Sequence, residues 1–337
     1  MSGSVCQLPV PGARSLMWWG GRLMDVAAGW RLLEEPAPRS GGWAPFGDFD
    51  TALMSPLGDL TALVDSDGTK ALLLEPGGRV VRELNRSWYC ADAYRYPLAM
   101  FTLPDGQTAV VHCPEHYNQL EIEVARTGQR LTAVEGREPA DVFHSRLQIS
   151  PGANRLLSAG WLWHPIGTAV IYDLDDAFRD PKTMDPLWLT TAGDFADALD
   201  AEVAGACWVS PDDVVVATSA EGLNNDVGLG ELKMGRWSGL EQRFVWRRPI
   251  DADLGDLLSF HGDVLAVNGH PRLFSASTGE LMEEWPEVTI APTQGSMLLQ
   301  GNVHSGSAVV AIDPDERRFA VRQEHVVFVV TPKSAQT

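Results

Sequence analysis

"RLQISPGANRLLSAGWLWHPIGTAVIYDL", Arg146 to Leu174, is an apolar run, a Ser-Pro turn, a second apolar run, a glycine-bearing loop and a third apolar run. The same order returns, weaker, in "ACWVSPDDVVVATSAEGLNNDVGLGELKM", Ala206 to Met234. It recurs around "LMSPLGDLTALVD" (Leu53 to Asp65) and "MFTLPDGQTAVVH" (Met100 to His112), and faintly in "LSFHGDVLAVNG" (Leu258 to Gly269) and "APTQGSMLLQG" (Ala291 to Gly301). Pro56, Pro104, Pro151 and Pro211 lie 48, 47 and 60 residues apart. That period is too long for helical hairpin repeats and suits four short strands with their turns.

Each copy continues into a third run ("TKALLLE", "NQLEIEV", "TAVIYDL", "GLGELKM", "PRLFSAS", "SAVVAID"). Many then reach a polar turn and a fourth run, such as "RLTAV" or "RFVWRR". Tight polar turns between such runs predict antiparallel meanders. A single meander leaves an apolar face bare, so the units must pack on one another. At the N-terminal end, "SLMWWGGRLMDVAAGWRLLEE" (Ser15 to Glu35) reads as three strands, and "EHVVFVV" (Glu324 to Val330) as a lone fourth. Joined in one sheet they close a ring and remove its open edge.

The expected fold is therefore an all-β, seven-bladed β-propeller in one domain spanning 1–337. Its blades are 15–35 with 324–330, 46–84, 94–132, 142–176, 203–248, 254–285 and 288–322. Six blades is the alternative, because the fifth and sixth turns are weak. "FHSRLQISPGANRLLSAG" followed by "TAVIYDL" resembles a degenerate WD-repeat. His144 falls where that family has Gly-His, Tyr172-Asp173 where it has Trp-Asp, and Ser150-Pro151-Gly152 on its first turn. The resemblance is specific in this unit and loose in three or four others. The Asp after the second strand is missing, so the family's Asp-His-Ser-Trp hydrogen-bond network does not carry over with it.

The chain has 45 acidic and 26 basic residues, a net charge of -19. A phosphate backbone or an anionic membrane is repelled by such a surface, and no Lys/Arg cluster offsets it. No apolar run approaches the length that spans a bilayer, and the first residues lack the pattern of a signal peptide, so a cytoplasmic protein is expected. Cys6, Cys90, Cys113 and Cys207 form no CxxC pair and read as small buried hydrophobes. The motifs GxSxG, HExxH, GxxxxGK[ST] and GxGxxG are all missing.

Two segments break the period: 175–206, and "LNRSWYCADAYRYPLAM" (Leu84 to Met100), which holds Trp88, Tyr89, Tyr94 and Tyr96. In the expected topology this second connection opens on the same face as the loops between second and third strands. Those loops carry His116, His164, His270 and His304, with Tyr117, Trp161 and Trp163 beside them. Trp88, Tyr94, Tyr96, His116, Tyr117, Trp161, Trp163, His164 and Trp188 are accordingly the candidate partner-binding residues. Trp and Tyr are the residue types that carry interface energy. The leading expectation is a non-enzymatic interaction module or scaffold for a protein or peptide, with a basic patch as complement. No catalytic residue, cofactor or metal is assigned. The alternative is a propeller enzyme or small-ligand binder, with the histidines converging on a metal at the central opening.

Overall fold

The computed structural model describes residues 3–34, 46–162, 166–186, 199, 201–222, 228–290 and 309–333. Its described strands are paired antiparallel in sheets of three or four. In chain order the sheets are A (Met17–Trp19, Arg22–Asp25, Arg31–Leu32), B (Thr51–Met54 to Val80–Asn85), C (Leu98–Thr102 to Glu121–Val124) and D (Val142–Phe143 to Val170–Asp173). Sheets E (Ala201–Trp208 to Arg243–Pro249), F (Leu257–Phe260 to Leu281–Glu284) and G (Val310–Ile312, Phe319–Arg322, Val326–Thr331) follow. Sheet D is hydrogen-bonded in two pieces that share three continuous runs of chain.

The Ser-Pro turn recurs because it solves one local problem. At Ser150 the backbone N–H donates to the Arg155 carbonyl (2.9 Å), and the hydroxyl accepts the Arg155 N–H (3.1 Å). Ser55 repeats this on Leu60 (2.9 and 3.1 Å). One hydroxyl thus satisfies the backbone group that the reversal leaves over, while proline pre-sets the turn's φ. These turns join the first and second strands of sheets B and D, as the sequence predicts.

Consecutive sheets share apolar clusters in a circular order. Met17 and Val26 pack with Leu63 and Leu74 between A and B, and Leu73 and Leu84 with Leu98 and Val110 between B and C. Phe101 and Val111 meet Val142 and Leu156 between C and D. Leu157 meets Val203 and Trp208 between D and E, and Cys207 meets Leu257 and Val264 between E and F. Phe260 and Leu265 meet Phe319 and Val330 between F and G. Ala311 and Val327 meet Leu16, Trp18 and Leu23, which returns the order to sheet A. With both faces covered, inner strands are buried throughout (Thr61–Val64, Thr108–His112), whereas outer strands such as Val80–Asn85 and Arg243–Pro249 are largely open.

The closure differs from the expectation. Residues 15–35 and 324–330 lie in different sheets: Met17–Trp19 pairs with Arg22–Asp25, while Val326–Thr331 pairs with Phe319–Arg322 on one side. On its other side Val326–Thr331 pairs with Ser4–Pro9, in register from Ser4 opposite Thr331 to Pro9 opposite Val326. The terminal strands still complete one sheet, but the N-terminal contribution is the short "SVCQLP", not the tryptophan-rich meander. "EHVVFVV" is apolar along its length because it is an internal strand, with neighbours on both edges. "SAVVAID", read as a third strand, supplies the first strand of sheet G, Val310–Ile312; the run 291–301 before it lies outside the described residues.

Sheet D carries a one-residue irregularity. Phe143 faces Trp161 and Gln148 faces Leu157, and Arg146 between them has φ +47°. An extra residue of this kind re-aims the side chains beside it. His144 turns inward and its Nδ1 meets Ser158 Oγ at 3.0 Å, with the Tyr172 ring edge-on at 6.0 Å. Part of the WD-type network is thus present in the unit that carries the resemblance.

Elsewhere, "DLDDAFRD" forms the helix Leu174–Arg179, capped by the Asp173 carboxylate accepting the Asp176 N–H (3.0 Å). The long connection 175–206 falls partly outside the described residues, and its end, from Ala201, belongs to the strand Ala201–Trp208. Cys113 and Cys207 are buried as expected; Cys6 is exposed and Cys90 half-buried, because they lie on an outer strand and in a loop. No helix among the described residues is long and apolar enough to cross a membrane.

Candidate functional site

The connection from sheet B to sheet C is organised by a residue the sequence reading passed over. Arg86 follows the strand Val80–Asn85 and is 5% exposed. Its Nε donates to Gly68 O (2.7 Å), and its Nη2 to Ala91 O (2.6 Å), Tyr94 O (3.1 Å) and Ser66 O (3.3 Å). Carbonyls from both flanking loops therefore close on one cation. The rings of Tyr94 and Tyr96 lie against the guanidinium, with centroids 4.5 and 5.0 Å from its carbon. Between Arg86 and Tyr94 the chain makes a single 3-10 turn, Ala91–Ala93.

This frame presents an aromatic surface. Trp88 is 81% exposed and Tyr89 is 38% exposed. Tyr89 lies against Tyr117 (centroids 5.1 Å) and Phe143 (6.0 Å). Phe143, fully buried at the start of sheet D, is the common partner beneath. Tyr117 stacks on it at 4.4 Å, Trp161 at 3.8 Å nearly parallel, and Tyr94 edge-on at 5.2 Å. The Tyr117 hydroxyl donates to Asp141 Oδ1 (2.5 Å). Each ring pair adds about 1 kcal/mol beyond the area it buries, so the platform is stiff before anything binds. Asp141 is exposed at its edge, and the loops that carry the platform add the exposed carboxylates Asp92 and Glu115, the latter paired with Arg130 (2.7 Å).

Of the sequence-predicted residues, the structure brings Tyr94, Tyr117 and Trp161 into one contact cluster around Phe143, with Cys90 beside it. Tyr94 and Tyr96 are buried (1% and 5%), so they support the surface and do not face solvent. Trp161 is buried as well; Trp88 and His116 are exposed. Trp163, His164 and Trp188 lie outside the described residues. Tyr89 and Phe143 complete the set. Tyr89 stood in the quoted connection, and Phe143 immediately precedes His144, the residue that marks the sheet's start.

The convergent-histidine alternative meets a different arrangement. His270 Nε2 lies 3.1 Å from Glu284 of its own sheet, and His304 falls outside the described residues with His164. Among the described residues no group of three or more His, Cys, Asp or Glu could hold a metal ion. An arginine–aspartate cluster crosses the ring where first strands begin: the buried Asp256 of sheet F accepts from Arg95 of sheet C and from Arg146 of sheet D (3.2 Å). Arg146 also donates to Ala204 O of sheet E (2.6 Å). Burial alone would raise the Asp256 carboxyl, but the two guanidinium charges hold it below its ordinary value.

No family model matches the chain. No curated protein matches it either. Among solved structures it is similar to a chain described as "Crystal Structure of Mitotic Checkpoint Complex". The TM-score is 0.57 at 10% identity, covering 99% of this chain and 95% of that one. At that identity the likeness shows the fold alone: an all-β, propeller-like ring of antiparallel sheets.

Proposed function

We propose that the protein is a seven-bladed propeller acting as a non-enzymatic protein-interaction module. It docks a partner on the aromatic surface of Trp88, Tyr89, Tyr117 and His116. The observation that carries this reading is the exposed Trp88–Tyr89 pair over a stack anchored on buried Phe143. Monomeric proteins rarely leave rigid, clustered aromatics in solvent without a binding use, and such residues are preorganised anchors. The blade count is supported by the circular succession of apolar clusters from sheet A to sheet G and back. The similarity to a chain from a multiprotein complex is in keeping with a protein partner. The net charge of -19 and the carboxylates Asp92, Glu115 and Asp141 on the loops that carry the platform favour a basic peptide segment, which the field steers into contact. Tyr94, Tyr96 and Trp161 hold the platform from below.

The test is fluorescence anisotropy with a series of lysine- and arginine-bearing peptides and the same series charge-reversed. The basic peptides are expected to bind, and Trp88→Ala or Tyr89→Ala to weaken them by tenfold or more with circular dichroism unchanged. Equal binding of the charge-reversed series, or indifference to both substitutions, overturns the reading.

A further inference from the structure

Beneath the aromatic surface, Arg86 and the two tyrosine rings against it keep buried polar atoms that no described residue satisfies in full hydrogen-bond geometry. Arg86, Tyr94 and Tyr96 are 5%, 1% and 5% exposed. Arg86 Nη1, Tyr94 Oη and Tyr96 Oη are buried without a hydrogen-bond partner. The contact is direct: the Arg86 guanidinium carbon lies 4.5 and 5.0 Å from the two ring centroids. Leaving such atoms bare destabilises the fold, most of all for a charged group. Native proteins resolve that cost by supplying a partner.

The chemistry of the set defines the partner. A guanidinium only donates, and its other nitrogens are already given to four backbone carbonyls. Among the described residues no carboxylate forms an ion pair with Arg86; its charge is met by the four carbonyls, the two ring faces and, at longer range, the Asp65 carboxylate. The two phenols remain protonated: burial pushes Tyr94 up to about 12 and Tyr96 higher still, against the lowering pull of Arg86. Cys113 is fully buried nearby, and burial holds its thiol protonated too. One guanidinium N–H and the two phenol hydroxyls beside it call for an acceptor that carries negative charge and is small enough to fit among them.

We infer that Arg86, Tyr94 and Tyr96 form a buried binding site for a single small anion of halide size, held by Arg86 Nη1 and the two phenol hydroxyls. The anion completes the coordination of Arg86 and fixes the loop on which Trp88 and Tyr89 stand. The inference does not depend on the partner proposed for that loop: it concerns the frame, not what docks on it.

Bromide is the probe. Crystals grown in acetate and transferred to sodium bromide are expected to show an anomalous peak within hydrogen-bond distance of Arg86 Nη1 and at least one phenol oxygen. In solution, replacing sodium gluconate by sodium bromide at constant ionic strength is expected to raise the unfolding midpoint by about 2 °C, by ligand linkage. Tyr96→Phe keeps the ring and removes one donor, and is expected to abolish most of that rise. An ordered water in place of the peak overturns the inference. So does a bromide effect of equal size in Tyr96→Phe, which marks a general salt effect.

Discussion

The junction of sheets F and G and the junction of sheets B, C and D do the same structural work with different chemistry. Between F and G the buried contacts are apolar: Phe260, Trp285, Phe319 and Val330, with Phe319 edge-on to Phe260 (5.7 Å) and Trp285 (5.3 Å), while the Arg317–Asp263 ion pair (2.6 Å) and exposed His261 lie at the rim of this junction. Between B, C and D the buried residues include ions. Glu123 accepts from Arg82 and lies 3.5 Å from both His112 and Arg130. Arg137, 3% exposed, pairs with Asp185 at 2.5 Å and with Glu121 at 3.7 Å. Next to these sits His144, fully buried against Ser158. A dry junction depends on shape; an ionic one depends on protons as well. The same quadrant carries the exposed aromatic platform, so the proposed docking surface and the titrating groups share one side of the ring.

The largest expected effect is at the dry junction. Phe319→Ala is expected to cost about 3–5 kcal/mol in urea unfolding, since it deletes a fully buried ring between two aromatic neighbours. Because the rings recorded against Phe319 are those of Phe260 and Trp285, which carry no charge, the loss should be the same at pH 7 and pH 5. A loss that changes with pH would break the contrast between the two junctions.

The ionic quadrant is expected to fail first in acid, in two stages. Burial pulls the His144 imidazole down to about 4 from its ordinary 6.5. The unfolded chain therefore takes up a proton below pH 6.5 that the native state refuses until about pH 4. Stability falls across that window by about 3 kcal/mol. His144→Gln should flatten this stage, read as urea midpoints between pH 7 and pH 4. An unchanged slope removes His144 from the account.

The second stage belongs to Glu123. Burial alone would raise its carboxyl, but hydrogen bonds and charge from His112 and Arg82 hold it at about 2 instead of 4.5. Its contribution is full above pH 4.5 and disappears as pH falls towards 2. Allowing for its partly solvated partners, the contribution is about 2 kcal/mol. Glu123→Gln should lose that amount at pH 7 and almost nothing at pH 2.

Smallest in stability is Trp88→Ala. At 81% exposure the substitution should move the unfolding free energy by no more than about 0.5 kcal/mol, while removing most peptide affinity. A large loss of stability would place Trp88 in the frame with Arg86 and not on the surface.

Much of the ring was legible because its signals are local. The Ser-Pro turns, the apolar runs beside them and the spacing of Pro56, Pro104 and Pro151 each reflect one hairpin's own hydrogen bonds. The aromatic connection from Trp88 to Tyr96 was visible as composition, and its neighbours Tyr117 and Trp161 followed from loop topology. What the sequence did not reveal is which ring of a cluster meets water. Trp88 and Tyr94 lie six residues apart with the same character, yet one is open and the other closed. The buried cation Arg86, which neither repeat nor motif marks, decides that by drawing the loop down onto itself.

By itself, then, the sequence determined the repeating antiparallel unit, the acidic surface and the segment richest in binding-type side chains, because these depend on residues near one another along the chain. Only the tertiary structure decided that "SVCQLP" and not "SLMWWGG" seals the ring, that Asp256 draws Arg95 and Arg146 together between sheets C, D and F, and that Phe143 gathers the aromatics. Those outcomes depend on pairings between residues far apart along the chain, from tens of positions for the Phe143 stack to more than a hundred for the terminal strands and the Asp256 cluster. Strand edges and buried charges choose such partners by geometry and desolvation, and a linear pattern records neither.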